Sequence, residues 1–170
     1  NCDWSSDVCS SDLETHGIDQ DIVRALKPRV WLRSGGYILV EPTEALVSID
    51  VNTGKFLGDR DLEETALRTN LEACREIARQ LRLRDLGGII VVDFIDMSAP
   101  ENRKTVMAAL AEALRDDRSR TKLVGMSELG LAQLTRKRTR AGFEASITRT
   151  CGACQGKGRL KTPDRSEEHT

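Results

Sequence analysis

The sequence predicts an α/β fold, a mixed sheet with flanking helices and a small cysteine knuckle at its C-terminal edge. Three observations lead there. The stretches ALVSIDVNTGKF and GGIIVVDFIDM read as apolar strands ending on the carboxylates Asp50 and Asp93. Residues 61–83 between them carry a helical period, and CGACQGKG sets Cys151 and Cys154 at metal-ligand spacing. Strand, helix, strand in succession implies parallel pairing through a right-handed crossover.

Both ends of the chain stand outside that pattern. Residues 1–13, NCDWSSDVCSSDL, hold no helical or strand period, and DVCSSDL and the terminal RSEEHT look like translated sequencing-adapter DNA. Residues 1–13 and 165–170 are therefore expected to be artefactual and to take no part in the fold, together with Cys2, Trp4, Cys9 and His169. What is left divides into a body over residues 14–145 and a cysteine segment over residues 146–164, enough for one cored domain and a small appendage. No apolar run approaches the length of a membrane span and no signal peptide precedes the body. A soluble, cytoplasmic chain is expected, with its cysteines reduced or on metal.

Without the ends the formal charge changes from -1 to +3, and it is unevenly spread. Residues 115–161 hold 12 Lys and Arg against 4 Asp and Glu, whereas residues 14–114 come to -4. An acidic half able to hold metal sits beside a basic half able to hold polyanion. Runs such as RDDRSRTK and TRKRTR are in general solvated surface, and only their one-sidedness favours a polyanion here.

Taken in order, residues 14–27 read as a short polar helix ending before Pro28. RVWLRSGGYILVEPTEALVSIDV alternates well enough for two or three strands, with Ser34-Gly35-Gly36 as a turn and Pro42-Thr43 as a second break. At Asp61 the period changes. Asp61 with Glu64 makes a capping box, and Leu62, Ala66, Ala73, Ile77 and Leu81 form an apolar stripe, so residues 61–83 are one long helix. After Gly87-Gly88, IIVVDF is a continuous apolar run of the kind covered on both faces. A second helix runs from about Pro100 to Leu114, with Pro100 tolerated in its first turn. Lys122 to Met126 is a weak strand candidate, and GLAQLTRKR is ambiguous.

Asp50, Asn52 and Asp93 are the residues that suggest chemistry. Side chains two apart on a strand share a face, so Asp50 and Asn52 point one way while Val47, Ile49 and Val51 point into the core. Two acids at one sheet edge repel unless a cation joins them, and Mg²⁺ takes one or two carboxylates with waters and substrate phosphate. Asn52 would orient a carboxylate or the scissile group through its amide. A single acid of this kind is equally well a helix cap or turn former. Asp96 competes for the second ligand and ranks lower, as a turn or supporting residue, while Glu41 and Glu44 flank the Pro42 break with no readable direction. Glu63, Glu64, Glu72 and Glu76 read as helix-surface groups paired with Arg residues about four positions away.

Structural zinc sites want four ligands, and Cys151 and Cys154 supply two of them. There is no second CxxC and no H-x-x-x-H; Cys74 lies in a helix and His16 is isolated. The economical solution is the same two cysteines from a second copy, with a redox CxxC as the competing reading. The pairs Gly35-Gly36 and Gly87-Gly88 lack phosphate-loop spacing. Trp31, Tyr37 and Phe56 are too few and scattered for a base-stacking platform, Phe56 alone remaining a stacking candidate. No Ser-His-Asp or Cys-His arrangement is present.

Together, SGGYILVEPTEALVSIDVNTGKF, DLEETALRTNLEACREIARQLRLRDLGGIIVVDFIDM and CGACQGKG resemble the ribonuclease E/G family, over about Val30 to Arg159. The resemblance implies a DNase I-like catalytic subdomain followed by a zinc-link. It also implies a Mg²⁺-dependent endoribonuclease of RNA processing and decay, which cuts single-stranded, often A/U-rich RNA to leave 5′-phosphate and 3′-hydroxyl ends. By position it places Mg²⁺ on Asp50 and Asp93 with Asn52 in support, and Zn²⁺ on Cys151 and Cys154, shared between chains of a dimer or tetramer. It places Arg120 at the 5′-monophosphate of the substrate. Gly152 stands where the family commonly has proline. Family members also carry an S1-type RNA-binding domain, an RNase H-like portion, a 5′-sensor and a dimerisation domain. None is recognisable here, so a fragment with weak or no activity of its own is expected. A non-catalytic module, with knuckle and basic half serving assembly or RNA binding, is the alternative. A Mg²⁺-dependent phosphatase of small substrates is disfavoured by the missing phosphate loop.

Overall fold

Pro28 has no N–H to continue a helix, and α1 (Ile18–Leu26) ends just before it. The computed structural model describes residues 18–54, 62–127, 130–138, 142–149 and 152. After α1 come β1 (Arg29–Trp31), β2 (Tyr37–Pro42) and β3 (Leu46–Asn52). Both connections are tight. Gly35 takes φ +86° in the first, where the Leu32 N–H donates to the Gly36 carbonyl at 2.8 Å. In the second, the Thr43 hydroxyl donates to the Leu46 carbonyl at 2.7 Å. The chain continues through α2 (Leu62–Leu83), β4 (Gly88–Asp93), α3 (Pro100–Leu114), β5 (Thr121–Met126), β6 (Leu131–Arg136) and α4 (Phe143–Ile147).

The strands form one six-stranded sheet in the order β1-β2-β3-β4-β6-β5. β3 and β4 pair parallel across the α2 crossover, and every other neighbouring pair is antiparallel. This is the expected mixed α/β sheet. Ile38, Val40, Val47, Ile49, Val51, Ile90, Val92, Ala132 and Leu134 project from one face and are buried. They meet Ala66, Ala73, Cys74, Ile77 and Leu81 of α2 and Val106 and Leu110 of α3 in one core. Burying an aliphatic side chain of this size contributes about 1.5–3 kcal/mol, so this face holds the sheet's register.

Two expectations need correction. The helical stripe begins a turn later than expected, at Ala66, and Leu62 is 68% exposed. β4 is not covered on both sides: Ile90 and Val92 are fully buried, but Ile89 is 54% exposed. Among the described residues α2 and α3 lie on the same face, so a strand that reads as uniformly apolar still alternates between core and solvent.

The C-terminal strands also resolve what the sequence left open. GLAQLTRKR contains β6, which inserts between β4 and β5. Its Arg136, part of a basic run that reads as surface, is buried. Arg136 donates from Nε to Asp117 Oδ2 at 2.7 Å and from Nη2 to Oδ1 at 3.2 Å. Nη1 donates to Asp85 Oδ1 at 2.9 Å and to the Leu86 carbonyl at 2.8 Å. Burial alone would raise the Asp117 carboxyl. The Arg136 hydrogen bonds, with those from Ser119 and Thr121, outweigh burial and hold it below the usual carboxylate range.

Removing one partner of such a pair leaves a buried charge. Arg136→Met is expected to cost about 3–5 kcal/mol in urea denaturation, and Arg136→Met with Asp117→Leu to recover much of that. The folded pKa of Asp117 is lowered. Its contribution is therefore complete above the unfolded value of about 3.9 and is lost as pH falls through the folded value. Acid titrations of stability should accordingly show a shallower loss for Asp117→Asn than for the parent chain.

Candidate active site

Alternation along β3 puts Val47, Ile49 and Val51 under the helices, which leaves Ser48, Asp50 and Asn52 on the open face. β4 does the same with Ile90 and Val92 inside and Asp93 outside. The parallel register sets Asp50 directly beside Asp93, one strand spacing of about 4.8 Å away. The two acids therefore stand side by side on one face. They lie at the C-terminal ends of the two central strands, not at a lateral edge of the sheet. Asn52 Nδ2 donates to Asp50 Oδ2 at 2.7 Å and fixes the orientation of that carboxylate. Of the two groups the asparagine is expected to orient, a carboxylate or the scissile group, this contact is to a carboxylate.

Electrostatics mark Asp93 as the strained member. Desolvation first, then the charges of Asp50 and Asp96, push its carboxyl above the usual range. A cation between Asp50 and Asp93 would remove that repulsion, and the oxygen donors suit a hard divalent ion. Among the described residues no group of three or more His, Cys, Asp and Glu is arranged to hold a metal. The remaining ligands would be water and phosphate oxygens, the mixture Mg²⁺ favours. Asp96 takes part through its charge and is itself exposed.

The loop that follows Asp93 is held from the helix side. Asn70, fully buried in α2, donates from Nδ2 to the Ile95 carbonyl at 2.9 Å and accepts from the Ile95 N–H at 3.1 Å. Glu63 accepts from the N–H groups of Ser98 at 2.9 Å and Ala99 at 3.1 Å and from Asn102 Nδ2 at 2.7 Å. Ala99 is the N-cap of α3 and its side chain cannot cap; the Glu63 carboxylate serves the N-terminus instead. Those bonds hold Glu63 below the usual carboxylate range, Ser98 first. Arg103 Nε donates to the Met97 carbonyl at 2.7 Å.

Glu63 and Glu72 are therefore not surface ion-pair residues as expected. Glu72 accepts from the backbone N–H groups of Arg33 and Ser34 and pins the β1–β2 turn. That turn packs on the end of β3 so closely that a Cβ on Gly36 would lie 2.6 Å from the Asn52 carbonyl. Glu76 behaves as expected, pairing with Arg79 at 3.0 Å, and Glu64 is exposed on the helix surface. The missed residue with a legible signal is Asn70, since an asparagine in a helix interior is disfavoured unless its amide has a tertiary partner.

The other candidates separate. Arg120 is exposed beside the first residue of β5. Thr121 is in register with Arg136, itself opposite Gly88, so Arg120 lies at the end of the sheet away from Asp93. Five residues of strand rise put it roughly 15 Å or more from the acids. Cys74 is buried, with its thiol pushed up to about 12 by burial, and donates to the Val106 carbonyl at 3.5 Å; it is a packing residue. Cys151, Cys154, His16, Phe56 and Asp61 lie outside the described residues. No described helix is long and apolar enough to cross a membrane.

Asn70→Ala would take its partner from each of the part-buried Ile95 backbone groups. A loss of about 1–3 kcal/mol in chemical denaturation is expected, and a loss of only a few tenths would show that the clamp contributes nothing to the fold.

The family model described as the ribonuclease E/G family matches residues 8–139. A ribonuclease G of Haemophilus influenzae is 49% identical over 150 residues, which cover 88% of this chain and 30% of that protein. The Escherichia coli (strain K12) ribonuclease G is 48% identical over 145 residues, 85% of this chain and 30% of the relative. A ribonuclease E of a Nostoc species is 49% identical over 156 residues, 91% of this chain and 23% of the relative. The chain thus spans less than a third of the length of these proteins. With a sheet that sets two carboxylates side by side and a match running from residue 8 to residue 139, the chain belongs to the ribonuclease E/G family.

Proposed function

We propose that this chain is the catalytic portion of an endoribonuclease acting on single-stranded RNA, with Asp50 and Asp93 as the residues that hold a divalent cation, Mg²⁺. The observation that carries the reading is the in-register pairing of Asp50 with Asp93 on the open face of the sheet. Family membership, and relatives that bear the names ribonuclease G and ribonuclease E, support it.

The geometry supports a role for each residue. Asp50 and Asp93 present their carboxylates from adjacent rigid strands, and Asn52 keeps the Asp50 carboxylate in one orientation. When bound, the ion supplies charge neutralisation at the phosphate and an activated water. Asn70 and Glu63 hold the segment after Asp93 in place without touching the reacting atoms. Lys122, exposed near the other end of the sheet, can attract the RNA backbone. Arg120, remote from the acids, fits a contact with the 5′-phosphate end and not with the cleaved linkage. Products bearing 5′-phosphate and 3′-hydroxyl ends belong to this same proposal.

Cleavage of 5′-monophosphorylated single-stranded RNA in Mg²⁺ by the chain, Asp50→Asn and Asp93→Asn tests it. Each substitution should lower the rate by about a hundredfold or more, the scale set by losing a preorganised charge-stabilising group. Chelation should abolish the activity and added Mg²⁺ restore it. Because the chain alone is expected to cleave weakly, rates are read above a background without protein, and equal Mg²⁺-dependent rates above that background for all three proteins would remove the acids from the mechanism.

Zinc at Cys151 and Cys154, shared across a dimer, is a separate proposal that rests on their spacing. Elemental analysis should then find one zinc ion for each pair of chains, lost together with dimerisation in Cys151→Ser.

A further inference from the structure

The open face carries a second feature beside the acids. β1 turns Val30 toward the core and leaves Arg29 and Trp31 outward, Trp31 at 65% exposure. Trp31 is the register partner of Tyr37, and Tyr37 is the register partner of Asn52. The next row runs Arg29, Leu39, Asp50, Asp93. Two aromatic residues that are six positions apart in sequence, across a turn, thus become one unit. Their ring centroids lie 5.4 Å apart at 65°. The Arg29 guanidinium carbon lies 4.5 Å from the Tyr37 centroid and 5.8 Å from that of Trp31.

We propose that Trp31 and Tyr37, with Arg29, form a stacking site for a base of the single-stranded RNA whose backbone reaches Asp50 and Asp93. An exposed aromatic by itself is ordinary. Here a second ring and a guanidinium hold it in place, so little conformational freedom is left to lose when a base stacks on it. The two strand spacings between Trp31 and Asn52 amount to roughly 10 Å, and Asp93 lies about 5 Å further. That separation suits a base close along the strand to a phosphate at the acids. Arg29 adds the positive charge that a phosphate needs and that Asp50 and Asp93 lack. Stacking of this kind tolerates any base, because every base has a π face.

The ligand named here rests on the nuclease reading, and the test keeps the two apart. Trp4 is the only other tryptophan, so a Trp4→Phe chain carrying Asp93→Asn reports on Trp31 alone and does not consume its ligand. Titration with a short single-stranded oligoribonucleotide should quench its emission saturably. Adding Trp31→Ala should weaken binding about tenfold by fluorescence anisotropy with an unchanged salt slope, and Trp31→Phe should restore most of the loss. Unaltered emission on saturation with RNA, with Trp31→Ala binding within twofold, would overturn the stacking site. If the chain cleaves RNA and Asp93→Asn does not, the nuclease reading survives that failure. If instead Asp93→Asn cleaves like the parent while Trp31→Ala weakens binding, the stacking site stands and the assignment of the acids falls.

Discussion

The parallel register between β3 and β4 is the constraint on which the rest of the molecule depends. It sets Asp50 beside Asp93, and it is enforced from the other side of the sheet. Val47, Ile49 and Val51 alternate with the polar face of β3, and Ile90 and Val92 with that of β4. A slip by one residue would turn all of these side chains into water and the acids into the core. The burial that stabilises the fold thereby holds two like charges together, and the Asp93 carboxyl is raised, first by its own desolvation and then by the charges of Asp50 and Asp96.

Support for that arrangement is delivered through the backbone. α2 occupies the buried face, yet two of its polar side chains reach the ends of the strands: Asn70 clamps Ile95 and Glu63 holds Ser98 and Ala99. Glu72 of the same helix fixes the β1–β2 turn, which abuts the end of β3. One helix therefore positions both acid-bearing strand ends from the buried face, and among the described residues no helix packs on the opposite face. Arg136 performs a comparable service at the far end, where it ties β6 to Asp117 and Asp85.

Sequence patterns proved reliable wherever a local period carried the information. Alternation in residues 29–52 predicted two or three strands where three form, Pro100 marked the start of α3, and an apolar stripe, correct from Ala66 to Leu81, marked α2. Patterns failed where the same residue type serves opposite ends. Glu63 and Glu72 sit at helical spacing from arginines, and nothing local distinguishes a solvated pair from an anchor to a loop distant in sequence. Arg136, within TRKRTR, reads as solvent-facing until two aspartates arrive from other segments. Trp31 and Tyr37 look scattered because their contact is made across strands.

By itself the sequence determined the elements as far as Leu114, the α/β class, the candidate acids and the asparagine between them, because a strand's two-residue period dictates which side chains share a face. Only the tertiary structure decided that Asp50 and Asp93 are direct neighbours, that Arg120 lies at the opposite end, and that an aromatic pair shares the face of the acids. The physical reason is that strand order and register arise from how two apolar faces close on each other, a property of packing between segments that no single segment contains.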